Sequence, residues 1–169
     1  MNMVTEGPGR GATELHWVER YGGWVITGIA LIVRVAVLRG LPYIITRDGI
    51  RYVERAERLA AGDWVGAFAG ADFNLFPVLI AWMHGLLSWL APITFEQAAL
   101  VLNVTSGTAV VSLLYWVTRK LAGGRAALMV GVYGALLPEL VRASCGVIRE
   151  APYLCLLVLG CGSVSYTHL

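Results

Sequence analysis

From Phe95 to Val117 the chain runs 23 residues with one charge, Glu96, near its start. A helix that crosses a bilayer needs about 20 consecutive apolar residues, and this run supplies them. Such a segment must satisfy its backbone amides internally, which restricts it to helix in lipid. Ser106, Gly107 and Thr108 interrupt it with small side chains suited to close helix packing. A second run, Gly23 to Ile45, is long enough as well and is broken by Arg34 and Arg39. Arg34 would cost roughly 2.5–3.5 kcal/mol at mid-bilayer on insertion scales. Two readings of it stay open. Its side chain snorkels to the headgroups, or it faces a polar cavity and meets an anion.

The rest of the composition agrees. The chain is 57% hydrophobic and only 14% charged, against about 25% charged in soluble domains; mean hydropathy is +0.68. A net charge of +2, without a basic tract or aromatic-basic interleaving, excludes nucleic acid as the expected partner. Cys145, Cys155 and Cys161 form no CxxC pair and lie in or beside apolar runs. They read as membrane-embedded thiols. His16, His84 and His168 are scattered, so no metal site is expected.

Against this background "TRDGIRYVERAERLAAGDW", Thr46 to Trp64, is densely charged. Ile50, Val53, Ala56, Leu59 and Ala60 recur at helical spacing, with Arg51, Glu54, Arg55, Glu57 and Arg58 between them. Asp48 suits an N-cap, Gly62 suits the stop, and Glu54 precedes Arg58 in the helix-supporting order. The pattern predicts an amphipathic helix over about 49–61 that lies in the membrane interface, with its charges toward water.

The remaining segments predict an all-α chain, a polytopic transmembrane helical bundle with interfacial juxtamembrane helices. Residues 1–22 read as a cytoplasmic tail and 23–163 as the membrane domain. Spans are expected at about 23–45, 95–118, 125–143 and 152–163. Leu75 to Ala91 would reach about 25 Å as a helix, short of the roughly 30 Å hydrocarbon core. It reads as a short span or as a second interfacial or re-entrant helix over 75–91. If it does not cross, the basic turn with Arg119, Lys120 and Arg125 falls inside, as short loops prefer. Glu150 then shares the outer face with Asp48, and this arrangement is preferred. Val164 to Leu169 matches one reading frame of a transposon-end sequencing adapter. On that reading the natural sequence stops near Ser163, and the chain is an inactive front part of a larger protein.

Two acids and several arginines at one membrane face suit a defined chemistry. A carboxylate takes a proton from an acceptor, and a guanidinium holds a phosphate. The order of motifs resembles the GT-C class of membrane glycosyltransferases, in particular the family of protein O-mannosyltransferases and lipid A aminoarabinose transferases. The resemblance rests on Asp48-Gly49-Ile50-Arg51-Tyr52 as D-x-x-R-Y after the first span. It continues through Gly62-Asp63-Trp64, the proline-containing run Phe76 to Trp82, the basic turn, and Glu150 in "REAPY". Leu75-Phe76 stands where aminoarabinose enzymes carry Glu-Lys, which argues against that substrate.

The resemblance implies an inverting transferase with a polyprenyl-phosphate-linked sugar as donor substrate. The acceptor would be a protein, lipid or glycan outside the cytoplasm, and the default location a bacterial inner membrane. It implies Asp48 as general base and Glu150 as a second active-site acid. Arg34, Arg51, Tyr52 and Arg149 are the candidate donor-phosphate or substrate-binding residues. No cofactor is specified, and metal dependence stays open. The alternative is a multi-pass transporter or flippase, with Arg34 on the substrate path.

Overall fold

The computed structural model describes residues 10–40, 45–69 and 73–167, with side chains from Arg20 to Ser163. The described residues are helical, with no strand. In order they form α1 (Arg10–Gly40), α2 (Arg47–Ala60), α3 (Trp64–Phe68), α4 (Leu75–Ser88), α5 (Phe95–Leu136), α6 (Pro138–Ser144) and α7 (Glu150–Thr167). Two stretches, Arg20–Gly40 and Phe95–Leu136, are long and apolar enough to cross a membrane. Leu75–Ser88 and Glu150–Ser163 are apolar but shorter. The tail expected over residues 1–22 is helical from Arg10 onward. Residues 1–9 and 41–44, the link residues 70–72, and most of the adapter-like tail Val164–Leu169 lie outside the described residues or have undescribed side chains.

α5 is two limbs joined at Gly123, where φ is 85° and ψ 175°. That backbone region is accessible essentially to glycine alone, and the basic turn between Arg119 and Arg125 forms around it. The second limb folds back along the first and along α1. Val111 and Tyr115 from the first limb, Ala127 and Ala135 from the second, and Ile26 and Ala30 from α1 make one buried cluster. Small residues permit this approach: a Cβ on Gly131 would come within 2.9 Å of Ile26, and one on Gly23 within 2.9 Å of Trp116.

The span expected over 125–143 is not one helix. It breaks at Leu137, whose φ of −59° and ψ of 117° are extended, and resumes with Pro138 at the first position of α6. Proline drives the residue before it out of the helical region. The two pieces, 13 residues over 124–136 and 7 in α6, rise about 20 Å and 10 Å.

The helix after the first span is also capped differently from expectation. Thr46, not Asp48, is its N-cap: the Thr46 Oγ1 accepts from the Gly49 amide at 3.1 Å. Asp48 sits in the first turn. The far end stops as expected at Gly62, with φ at 85°. The Gly62 amide donates to Leu59 O at 3.0 Å and the Asp63 amide to Arg58 O at 2.9 Å, a Schellman closure. Asp63 then caps α3 by accepting from the Gly66 amide at 2.8 Å. The Gly-Asp-Trp motif thus has a local structural task, ending one helix and starting the next.

α4 lies beside α2 and the first turns of α5. Phe76 and Ile80 bury against Ala56, Ala99, Leu102 and Val147 in a second cluster. α4 runs unbroken through His84, whose ring stacks on Phe95 with centroids 3.7 Å apart and whose Nε2 is 3.1 Å from Ile93 O. This cluster sits at one end of the bundle. Gly49 packs against Val147 there, and the Asn103 side chain donates to Gly146 O and Ile148 O. Arg119 lies 16 residues further along the same limb, about 24 Å away. Asp48 and Glu150 therefore share one end, and the basic turn occupies the other. Between these ends the outward surface is apolar, with Trp24, Ile32, Met129 and Leu157 all more than 60% exposed.

The turn yields a stability prediction. Nothing lies within 4 Å of a Cβ built on Gly123, so Gly123→Ala costs only backbone strain, about 1–3 kcal/mol. Thermal unfolding in detergent should show a lowered Tm. Gly28→Ala, equally unhindered but inside α1, should leave the Tm unchanged or raised.

Candidate functional site

Two cavities open at the end that carries Asp48 and Glu150. The outer one, about 240 Å³, is bounded by Asp48, Arg51, Tyr52 and Arg55 of α2, Asn74 before α4, and Arg149. The inner one, about 750 Å³, reaches down between α1, α5, α6 and α7. Arg34, Glu139, Ser144, Arg149 and Glu150 supply its polar groups. Its remaining wall is largely apolar, including Val110, Leu154 and Leu157. Arg149 lines both cavities.

Local structure explains how each side chain is presented. One turn of α2 separates Asp48 from Arg51 and another separates Arg51 from Arg55, so the three share a face. Asp48 pairs with Arg51 at 3.7 Å, with side chains 70% and 56% exposed. A pair this open contributes little stability. Because Thr46 performs the capping, the Asp48 carboxylate has no backbone amide to hold. Tyr52 is half-buried, its ring meeting Phe76 edge-on at 5.3 Å. With three guanidiniums and one carboxylate, the outer cavity has a formal charge of +3 − 1 = +2.

Arg34 resolves the two readings of the sequence against snorkelling, because the residue is 0% exposed. Its Nε donates to Ser144 Oγ at 3.1 Å and its Nη1 to Ala30 O at 3.0 Å. Its Nη2 has no partner. The contact requires glycine at position 107: a Cβ there would collide with Ser144 Oγ and approach Arg34 Nε to 3.0 Å. Ser144 itself donates to Leu140 O at 2.6 Å.

Asn103 holds the segment that carries Arg149. Its Nδ2 donates to Gly146 O and, at 2.9 Å, to Ile148 O. Asn103, itself buried, thus clamps this segment to α5. A second polar link separates the cavities. Tyr153, on the inner wall, donates from its hydroxyl to Asn74 Oδ1 at 2.8 Å, and the same oxygen accepts from the Phe76 amide at 2.9 Å.

Of the residues expected at the site, Asp48, Arg51, Tyr52 and Arg149 meet in the outer cavity. Arg34, Arg149 and Glu150 meet in the inner one. The two acids share an end but line different cavities. Arg55, Asn74, Glu139 and Ser144 were not singled out from the sequence. Only Arg55 left a local signal, four residues after Arg51. The others arrive from separate elements. Among the described residues, no group of three His, Cys, Asp or Glu side chains is placed to hold a metal.

No protein-family model, curated protein or solved structure matches the chain.

The Asn103 clamp is open to test. Asn103→Leu should leave helix content unchanged by circular dichroism. Amide exchange at residues 146–149 should rise, and stability should fall by about 1–3 kcal/mol, because two half-buried carbonyls lose their donor.

Proposed function

We propose that this chain belongs to an integral-membrane glycosyltransferase of the GT-C kind, acting on a polyprenyl-phosphate-linked sugar. α1, both limbs of α5 with α6, and α7 form a polytopic bundle in the bilayer, with α2 to α4 at its surface. The exposed apolar belt supports this placement, since soluble monomers rarely expose patches of that extent. Arg119, Lys120 and Arg125 set the Gly123 turn toward the cytoplasm by the positive-inside rule. The cavity end then faces outward, in keeping with a bacterial inner membrane.

One observation carries the reading: Asp48, relieved of capping, lines a polar cavity that shares Arg149 with an apolar one. An acceptor from water occupies the outer cavity, and the lipid-linked donor enters the inner one from the bilayer. Asp48 accepts the proton of the acceptor hydroxyl or amine as that atom attacks the anomeric carbon. The bond from that carbon to the phosphate oxygen breaks, with inversion. Arg149, which lines both cavities, offsets the charge on the departing phosphate, and Arg51 stays on the acceptor side beside Asp48. Tyr52 borders the acceptor, and Glu150, on the donor side, accepts hydrogen bonds from sugar hydroxyls.

A transporter is the second reading. The break at Leu137 in the helix facing buried Arg34 is the kind of discontinuity that transporters place at substrate sites. Solute uptake by reconstituted vesicles without sugar transfer would favour it.

Asp48→Asn, made in the whole transferase to which the chain belongs, should reduce transfer from a radiolabelled polyprenyl-phosphate sugar by about 10²-fold or more, with membrane insertion intact. Wild-type rates in that variant would remove Asp48 as the base. Single cysteines replacing Asp48 and Arg119 should label from opposite sides of sealed vesicles; labelling from one side would overturn the topology.

A further inference from the structure

Two donors at the outer cavity have no task in the reaction above. Arg55, half-buried on α2, forms no hydrogen bond or ion pair among the described residues. Asp48 and Arg51 offset each other, and Arg149 serves the departing phosphate. Of the cavity's cations, Arg55 therefore remains without a counter-charge. Asn74 is only 8% exposed. Its Oδ1 accepts from both the Phe76 amide and the Tyr153 hydroxyl, which fixes the orientation of the side-chain amide. Its Nδ2 makes no hydrogen bond among the described residues, so two N–H donors remain for the cavity that Asn74 lines. A buried donor left unpaired is costly. A guanidinium fork and an amide NH2 on one small cavity suit an oxyanion carrying a single charge. A carboxylate brings one charge and matches the fork. A phosphomonoester would bring a second toward Asp48, with no further cation to meet it. The volume of about 240 Å³ is the space of about eight waters, the scale of one sugar ring. Tyr52 and the exposed Phe73 border it, and electron-rich ring faces receive the C–H groups of a sugar. A peptide would seek a strand edge to pair with, and the described residues contain no strand.

We infer that the acceptor is an acidic saccharide ending in a hexuronic acid, whose carboxylate meets Arg55 and the Asn74 Nδ2 while a ring hydroxyl faces Asp48. The hydroxyl oxygen forms the new bond to the anomeric carbon, and its proton passes to Asp48. The phosphate leaves with the old bonding pair, and the carboxylate is unchanged. Arg55 and Asn74 thus select the acceptor, and Asp48 activates it. This inference rests on the transfer reaction proposed above and names its acceptor.

The test compares two acceptors in the whole transferase, with a radiolabelled polyprenyl-phosphate sugar as donor. Methyl glucuronoside carries the carboxylate; its uronamide keeps every hydroxyl and loses the charge. kcat/KM should favour the glucuronoside by about tenfold, the scale of hydrogen bonding to one charged group, with the difference in KM. Glucose 6-phosphate, a phosphomonoester, should be used less well than the glucuronoside. Arg55→Gln should erase the preference. Asn74→Asp keeps the oxygen that caps α4 and accepts from Tyr153, so the fold should hold. It replaces the NH2 with a second oxygen and should turn the preference toward the uronamide. Arg47→Gln removes a charge from the same helix outside the cavity and should leave the preference in place.

Equal kcat/KM for the glucuronoside and the uronamide would overturn the inference, as would an undiminished preference in Asn74→Asp. Loss of the preference in Arg47→Gln would assign it to the general charge of α2 and overturn the contact with Arg55. Transfer to a serine peptide in place of both saccharides would defeat this inference and leave sugar transfer standing. Absence of transfer to every acceptor would defeat the proposed reaction itself. Calorimetry on the detergent-solubilised chain then decides the site separately: tighter binding of methyl glucuronoside than of the uronamide, lost in Asn74→Asp, supports it, and equal binding overturns it.

Discussion

A guanidinium removed from water has to be held by neighbours, and Arg34 is the position at which this chain accepts that demand. Its partners come from its own helix, through Ala30 O, and from α6, through Ser144. The space for them comes from Gly107 on α5. Three helices are thereby brought to one register. A shift of α1 or α6 by a turn would take the Ser144 acceptor away from the charge, at a cost of several kcal/mol for a buried ion. The break at Leu137 belongs to the same arrangement, because it lets α6 approach α1 on a line separate from the second limb of α5.

The inner cavity follows from this node. Arg34 cannot pack like an aliphatic side chain, and α7 passes it as a wall rather than filling the space. Arg149 and Glu150 stand at the start of α7, and Asn103 ties the segment just before them to α5. The Tyr153–Asn74 bond then joins α7 to the beginning of α4 and divides the apolar cavity from the polar one. Two compartments with different chemistry meet at Arg149. That is the geometry a reaction between a lipid-borne and a water-borne substrate needs, and on it the proposed function rests.

At the surface end, side-chain caps divide the work among Thr46, Asp63, Asn74 and Thr94. Each satisfies amides that a helix start leaves open. Asp48 was the natural choice for the first of these tasks when only residue type and position were considered. Thr46, two residues earlier, performs it, and Asp48 is left in the first turn with its carboxylate facing Arg51 and the cavity. Conversely, Gly62-Asp63-Trp64, a motif that carried part of the family resemblance, is accounted for by helix closure and capping.

Periodicity and hydropathy are local properties, and what depended on them was legible. The all-helical class, the amphipathic α2, its stop at Gly62 and the two longest apolar helices can all be read along the chain. Asp48, Arg51 and Tyr52 were legible as a group because they stand together in the D-x-x-R-Y motif that carries the family resemblance. What tertiary structure alone decided was which distant groups meet. Ser144 lies 110 residues from Arg34, and Tyr153 lies 79 from Asn74; no spacing rule links such pairs. The limb that turns back at Gly123, the separation of Asp48 from Glu150 into adjoining cavities, and the burial of Arg34 instead of its extension to the surface are of this kind. The sequence determined where helices form, because that follows from neighbours within a few residues. Packing decided which polar side chains face one another, because that depends on the paths of helices whose contacts are distant in the chain.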